Sequence, residues 1–94
     1  LRPMEFESSE GFKIFVGRNN IMNDKLTLKT AKNYDLWFHV KEGAGAHVVV
    51  QSENGREFTD KLIREAAMLA VQNSKAASSS NVAVDYTIII KPSM

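Results

Sequence analysis

The amino-acid sequence predicts the α+β fold class: a single small domain in which a predominantly antiparallel or mixed sheet is covered by two helices. Three observations predict it. Short segments rich in β-branched and aromatic residues are separated by turn residues, as strands are. One longer segment repeats its apolar residues at helical spacing. The chain has 94 residues, 44% of them hydrophobic and 24% charged, the size and composition of one globular domain.

The predicted elements follow one another with turn signals between them. Residues 12–16 (FKIFV), 36–41 and 47–51 have the β-branched and aromatic content of strands. Residues 59–75 carry the helical apolar repeat, and residues 82–90 return to a strand pattern. With one shorter helix between the first two strands, the predicted order is β-α-β-β-α-β.

The shorter helix is the ambiguous element. Asn23 is a suitable N-cap for a helix over residues 24–32, with its lysines on the outer side. The alternation of apolar and polar residues in LTLKT, residues 26–30, favours a strand nearly as well, so both structures remain open. The second helix has Thr59 in position to cap its first turn, and its alanines allow it to lie close to a sheet.

Residues 11–94 are predicted to form the domain, and residues 1–10 a leading segment. The sequence begins without Met and stops just after a strand-like run, which indicates a piece of a longer protein with a further strand beyond residue 94. It contains no cysteine, so no disulfide framework is expected and a reducing compartment is permitted. No apolar run is long enough to cross a bilayer, so no membrane partner is expected.

Charge is unevenly distributed along the chain. Residues 11–33 carry five cations against one carboxylate, a balance of +4, whereas residues 1–10 carry one cation against three carboxylates, a balance of −2. A clustered basic segment on a near-neutral domain is typical of a phosphate-binding surface. A solvated helix face explains the same cluster, and charge alone leaves both interpretations open.

A Trp, two His and a Lys lie within residues 35–47 around a glycine-rich turn. Because side chains alternate along a strand, Trp37, His39 and Lys41 share one face. A five-residue loop would pair Lys41 with His47 and place His39 diagonally at roughly 7–8 Å from His47. The sequence therefore predicts an exposed aromatic and cationic patch. Stacking on unpaired bases is one use of such a patch, and burial of Trp37 in the core is the alternative.

Metal binding and catalysis are not expected of this domain. His39 and His47 could share an ion, but the nearby Asp35 and Glu42 have no diagnostic ligand spacing. There is no cysteine nucleophile and no serine beside an obvious base. The turn of residues 43–46 could cradle a phosphate in its backbone amides, or it could be a plain hairpin loop. No cofactor and no enzymatic activity are predicted.

Several ordered motifs resemble the RNA-binding domain of NFACT proteins. They are GRNNxxNDxLT at residues 17–27, DxWFH at 35–39 and GxHV at 45–48, followed by AAxLA, a Ser-Lys pair and VDYT. The resemblance implies a cytoplasmic role in ribosome-associated quality control. Its implied partners are tRNA and large-subunit rRNA, and the large ribosomal subunit through the full-length protein. Such proteins recruit alanyl-tRNA to obstructed large subunits for untemplated C-terminal tailing, and the ribosome supplies the chemistry.

The resemblance also implies which residues face RNA, with Lys41 added as a phosphate contact. Asn23 and Asp35 have an open alternative, since capping and hairpin geometry also favour these residue types. Two other functions accompany the family: a surface adhesin that binds fibronectin or fibrinogen, and a module that docks on protein. The implied RNA-binding set is Arg18, Asn19, Asn20, Asn23, Asp35, Trp37, His39, Lys41, Gly45 and His47.

Overall fold

The structure, a computed structural model, describes residues 1–93. Residue 94, where the predicted domain ends, and the strand expected after it lie outside the described residues. In chain order, the elements are β1 (Met4–Glu7), β2 (Lys13–Val16), α1 (Asn20–Lys25), a π-helical turn (Leu26–Thr30), β3 (Leu36–Val40), β4 (Val48–Val50), α2 (Asp60–Gln72) and β5 (Val84–Ile88).

The strands form one five-stranded sheet in the order β1-β2-β4-β3-β5, and every pair is antiparallel. The predicted α+β class and the strands of the central sheet are confirmed. The predicted order lacked β1, which lies in the leading segment and pairs with β2 from Met4↔Val16 to Glu7↔Lys13. This four-residue strand was missed because its short alternation stands among acidic residues and lacks a β-branched residue.

Helix α2 begins as predicted, with the Thr59 hydroxyl accepting a hydrogen bond from the Leu62 amide at 3.1 Å. Its fully buried residues, Leu62, Ala66 and Ala70, pack on one face of the sheet. The small alanines bring the helix axis close to the strands. The helix ends at Gln72 rather than at the predicted residue 75, because the carbonyl of Asn73 is engaged by a loop amide instead of continuing the helix.

The first helix begins earlier than the sequence predicted. Its N-cap is Asn19, whose Oδ1 accepts from the Met22 amide at 2.8 Å, so Asn23 lies inside the helix and is not the cap. The strand alternative for residues 26–30 is wrong. This segment instead continues α1 as a π-helical turn, closed by the Ala31 amide donating to the Leu26 carbonyl at 2.8 Å.

The sheet is covered on both faces, but unequally. Helix α2 covers the face that carries the larger core, including Ile14, Phe38 and Val48. On the opposite face, the π-helical turn and the residue after it cover a smaller cluster. The buried members of this second apolar cluster are Leu26, Ala31 and Val49, with Phe15, Trp37 and Ile89 partly buried against them. The second face is therefore the one that carries the predicted patch.

Strand β5 lies at one edge of the sheet and is largely exposed. Tyr86 stacks on Phe38, with ring centroids 5.4 Å apart, but it stays 53% exposed, and Ile88 stays 48% exposed. Val84, at the start of the strand, is partly buried against the larger core. Within residues 1–93, no helix has the length and apolar character needed to cross a bilayer.

Candidate functional site

The register of β3 and β4 differs from the predicted hairpin. Trp37 pairs with Val49 and Phe38 pairs with Val48, and continuing this register places His39 directly opposite His47. The predicted pairing of Lys41 with His47 is therefore wrong by two residues, and His39 is not diagonal to His47. A shift of two keeps every side chain on its predicted face.

The loop between β3 and β4 explains the difference, because it turns away from β3 towards the end of α2. Ala46 donates its amide to the Asn73 carbonyl at 3.0 Å, and Gly45 forms an isolated bridge with Ser74. A Cβ on Gly45 would lie 2.8 Å from Ser74 Cβ, closer than real side chains approach. Gly45 is thus required for close packing against the turn after α2.

Trp37, His39 and His47 form a compact group, which we call the histidine face. The rings of His39 and His47 meet edge to face with centroids 5.4 Å apart, and Trp37 lies 5.4 Å from His47 in the same arrangement. His39 stacks on Trp37 at 6.1 Å. All three are half-buried rather than exposed, because the π-helical turn lies against this side of the sheet.

Trp37 belongs partly to the second apolar cluster. Its indole Nε1 is buried and has no hydrogen-bond partner among the described residues. A ligand can therefore reach only the remaining exposed part of the ring. Trp37 therefore packs partly in the core and also leaves part of its ring exposed for stacking.

His47 is held by Thr27 of the π-helical turn, whose Oγ1 lies 2.7 Å from Nδ1. Burial lowers the pKa of His47 below its ordinary value of 6.5, and the nearby His39 lowers the pKa further, while the Asp24 carboxylate opposes them. The neutral ring therefore predominates at neutral pH. Its Nε2 is left for a ligand, since no described residue bonds to it.

Asn23 is 5% exposed and spans the gap between α1 and the β3–β4 loop. Its Oδ1 accepts from the His47 amide at 3.0 Å, and its Nδ2 donates to the Gly45 carbonyl at 3.2 Å. A Cβ on Gly17 would lie 1.9 Å from Asn23 Oδ1, so only glycine leaves room for this amide. Asn23 is a clamp that fixes the loop to the helix.

Asp35 is 4% exposed and fixes the chain that leads into β3. Its carboxylate accepts from the Lys32 amide at 2.9 Å, and from both the amide and the hydroxyl of Ser52 at 2.8 Å. These bonds join the end of the π-helical turn to the end of β4. Asp35, Asn23 and Asn19 thus use their polar groups for bonds within the domain, and Gly45 is required for packing within it.

Arg18, Asn19, Asn20 and Lys41 are the exposed members of the predicted set. Lys41 lies at the β5 edge, where its Nζ is 3.8 Å from Asp85 Oδ1. Arg18 and Asn20 lie instead beside an open groove of about 440 Å³, which we call the polar groove. Its lining consists of Met4, residues 17–20, Asn23, residues 44–46 and residues 73–75.

The polar groove brings together half of the predicted set and adds three polar residues that sequence reasoning did not select. The structure groups Arg18, Asn19, Asn20, Asn23 and Gly45 there, and Asn23 connects the groove to the histidine face through its bond to the His47 amide. The three added residues are Asn73, Ser74 and Lys75. The Ser-Lys pair was already part of the matched pattern, and its place directly after a long helix was the available signal.

The histidine face and the polar groove present different groups to a ligand. Within the described part of the chain, no group of three or more His, Cys, Asp or Glu side chains is placed to hold a metal ion. The histidine face offers flat rings, and the polar groove offers cations and amides. Flat rings and cations are the groups that contact bases and phosphates in nucleic acids.

Comparison with known proteins identifies the family. The family model described as NFACT protein RNA binding domain matches residues 2–90. The chain is 46% identical over 84 residues to Rqc2 homolog RqcH of Bacillus subtilis, covering 89% of this chain and 14% of that protein. It is 41% identical over 85 residues to Rqc2 homolog RqcH of Streptococcus suis, covering 89% of this chain and 15% of that protein.

A solved structure shows the same fold. It is the C-terminal part of the fibronectin/fibrinogen-binding protein from Streptococcus suis, with a TM-score of 0.85 and 39% sequence identity. The match covers 94% of this chain and 35% of that one. The chain spans about one seventh of the curated relatives it matches, 14% and 15% of their lengths. The chain therefore belongs to the family of NFACT protein RNA binding domains.

Proposed function

We propose that this domain binds RNA, either tRNA or large-subunit rRNA, as one module of a ribosome-associated quality control factor. The observation that carries the proposal is the match to a family of RNA binding domains over residues 2–90, nearly the whole chain. The domain supplies binding and positioning and no catalytic step. We place its action in the cytoplasm, where ribosomes and charged tRNA meet.

The geometry supports RNA because it offers two kinds of contact. Phosphate contacts position a nucleic acid, whereas contacts to bases and riboses distinguish RNA segments. The polar groove has Arg18 on its edge for phosphate. On the histidine face, the half-buried rings of Trp37 and His39 suit an unpaired base, and His47 Nε2 suits a base or ribose oxygen.

The finer role that we propose is the one that the family resemblance implies. In this proposal the full-length protein engages an obstructed large ribosomal subunit and recruits alanyl-tRNA, and the ribosome then adds an untemplated C-terminal tail. Two RqcH proteins, each more than 40% identical to this chain, support that assignment. This domain would hold RNA for that reaction, since the ribosome carries out peptidyl transfer.

The test is binding of an end-labelled tRNA transcript to the 94-residue domain across a salt series. Binding should weaken steeply with salt, because neutralised phosphates release their counterions. His39→Ala should weaken binding at every salt concentration, since it removes a ring that stacks on Trp37. Met68→Ala, an exposed site on α2 that is 57% accessible, is the matched control and should change nothing.

A second candidate function comes from the solved relative, which is described as a fibronectin/fibrinogen-binding protein. Binding of this domain to immobilised fibronectin or fibrinogen would support it. That binding should persist at salt concentrations that abolish tRNA binding, and excess tRNA should not compete with it. A folded domain that binds these proteins and no RNA at low salt would contradict the RNA proposal. A module that docks on another protein predicts the same insensitivity to salt.

A further inference from the structure

The polar groove contains a cation that the motif-based set does not include. Lys75 is exposed, and its backbone amide donates to the Ala44 carbonyl at 3.0 Å, which fixes its Cα at the groove. No carboxylate among residues 1–93 lies within 4.0 Å of its ammonium group. The position of Lys75 is therefore set by structure, while its charge remains available.

Arg18 faces the same groove from the segment before α1. Its Nε donates to the Arg2 carbonyl at 2.7 Å, which orients the guanidinium group. The two terminal nitrogens have no partner within the described part of the chain. An oriented guanidinium with two free donors matches the oxygens of a phosphate better than a mobile lysine does.

The polar groups that line the groove between these cations already have hydrogen-bond partners within the domain, which makes this part of the groove rigid. Asn23 bonds to the β3–β4 loop with both ends of its amide, and Ala46 donates to Asn73. The Ser74 hydroxyl donates to the Val71 carbonyl at 2.7 Å. These groups form the groove, and their hydrogen bonds are already made within the domain rather than left for a ligand. The amide of Asn20, in contrast, has no side-chain hydrogen bond among the described residues.

The charge of the groove selects an anion. Its described lining includes Arg18 and Lys75 and no aspartate or glutamate. A groove on the α2 side of the sheet differs, since Glu7 and Glu65 line it together with Arg64. At the β5 edge, Lys41 has Asp85 at 3.8 Å, and on the histidine face His47 is mostly neutral at neutral pH. Of these surfaces, the polar groove is therefore the one whose described cations have no carboxylate beside them.

We propose that the polar groove holds a phosphodiester of the RNA backbone between Arg18 and Lys75. This inference rests on the proposed RNA-binding function and adds Lys75 to the residues that carry it. Its volume, about 440 Å³, lies within the range of small-ligand sites and accommodates a phosphate with part of its ribose. Asn20 then lies beside the ribose, where its free amide can bond to a sugar oxygen. The histidine face takes up a neighbouring unpaired base.

The experiment measures the salt dependence of binding for single-charge variants with an end-labelled tRNA transcript as the probe. Each phosphate contact contributes roughly 0.7 to 0.9 to the slope of log K against log salt. Lys75→Gln and Arg18→Gln should each lower the slope by about that amount. Lys61→Gln removes the same charge from an exposed site in the first turn of α2 and should leave the slope unchanged. Lys75→Arg keeps the charge and should retain the wild-type slope.

The outcomes separate the two proposals. If the wild-type domain binds tRNA and folded Lys75→Gln shows the same slope of log K against log salt, the groove assignment is overturned. RNA binding would then belong to another surface. A folded wild-type domain that binds no tRNA at low salt would overturn the proposed function, and the groove assignment with it. Circular dichroism melting of each variant establishes folding.

Amide chemical shifts of the wild-type domain give a second measurement that requires no substitution. Adding the tRNA transcript should change the chemical shifts of the Lys75 backbone amide and the Asn20 side-chain amide. The chemical shift of the Lys61 amide should not change. Shifts confined to the β5 edge or to the exposed side of α2 would contradict the assignment.

Discussion

Replacing Asn23 by Ala tests whether this residue is a structural clamp or an RNA contact. The substitution removes two hydrogen bonds, from the His47 amide at 3.0 Å and to the Gly45 carbonyl at 3.2 Å. Each bond contributes about 1 kcal/mol, and a buried group left unpaired costs about 1–3 kcal/mol. Alanine is the better helix former, but by no more than about 0.7 kcal/mol. The expected loss is roughly 2–4 kcal/mol.

Thermal and urea unfolding followed by circular dichroism measure this loss. For a domain of this size, 1 kcal/mol corresponds to roughly 4–8 °C, so a loss of about 3 kcal/mol lowers Tm by roughly 10–25 °C. Asn20→Ala is the matched control on the same helix, because its side chain is exposed and it should change stability by less than about 0.5 kcal/mol.

Hydrogen exchange gives a more local measurement of the same clamp. The His47 amide should exchange faster in Asn23→Ala than in the wild type, since it loses its acceptor. An Asn23→Ala domain as stable as the Asn20→Ala control would refute the clamp. So would an unchanged exchange rate at His47. Asn23 would then return to the set of residues available to RNA.

Three further predictions concern the loop, the strand entry and the histidine face. Gly45→Ala should lower Tm measurably, because its Cβ would meet Ser74 Cβ at 2.8 Å; an unchanged Tm would contradict the close packing. Asp35→Ala should cost roughly 2–4 kcal/mol in urea unfolding, since its three donors lose their acceptor; a cost under about 0.5 kcal/mol would contradict its structural role. His39→Gln should raise the pKa of His47, measured by NMR titration, but not fully to 6.5, because burial is the larger cause; an unchanged or lowered pKa would contradict the stated causes.

The lowered pKa of His47 also sets the direction of a pH dependence. Because the unfolded chain binds this proton more readily than the folded domain does, the stability that His47 contributes is present above about pH 6.5 and is lost as the pH falls through the folded-state pKa. Urea unfolding at neutral and mildly acidic pH measures the loss. Stability contributed by His47 that rises on acidification would contradict this sign.

The parts of the fold that local pattern governs could be predicted from sequence. Thr59 marks the start of α2, and the period-two patterns locate the central strands, because capping and alternation act over a few residues. The first helix could not be placed, since Asn19, Asn20 and Asn23 are all capping residue types. Only the contact of Asn23 with the distant loop, 22 to 24 residues away, determines which one caps.

The strand face on which the aromatic and histidine side chains lie could be predicted from the sequence, but their burial and register could not. Alternation placed Trp37, His39 and His47 on one face, and that placement is confirmed. Their burial depends on the π-helical turn, whose packing on the sheet no local pattern specifies. The register depends on the bridge between Gly45 and Ser74, which are 29 positions apart in the sequence. Long-range contacts of this kind lie outside what spacing alone determines.

The decisive measurement is binding of a tRNA transcript to the folded 94-residue domain across a salt series. If the domain binds RNA through its phosphates, it should bind at low salt, and the logarithm of the binding constant should fall linearly with the logarithm of salt concentration, with several phosphates contributing to the slope. A folded domain that binds no RNA at low salt, or one whose binding is independent of salt, would contradict it.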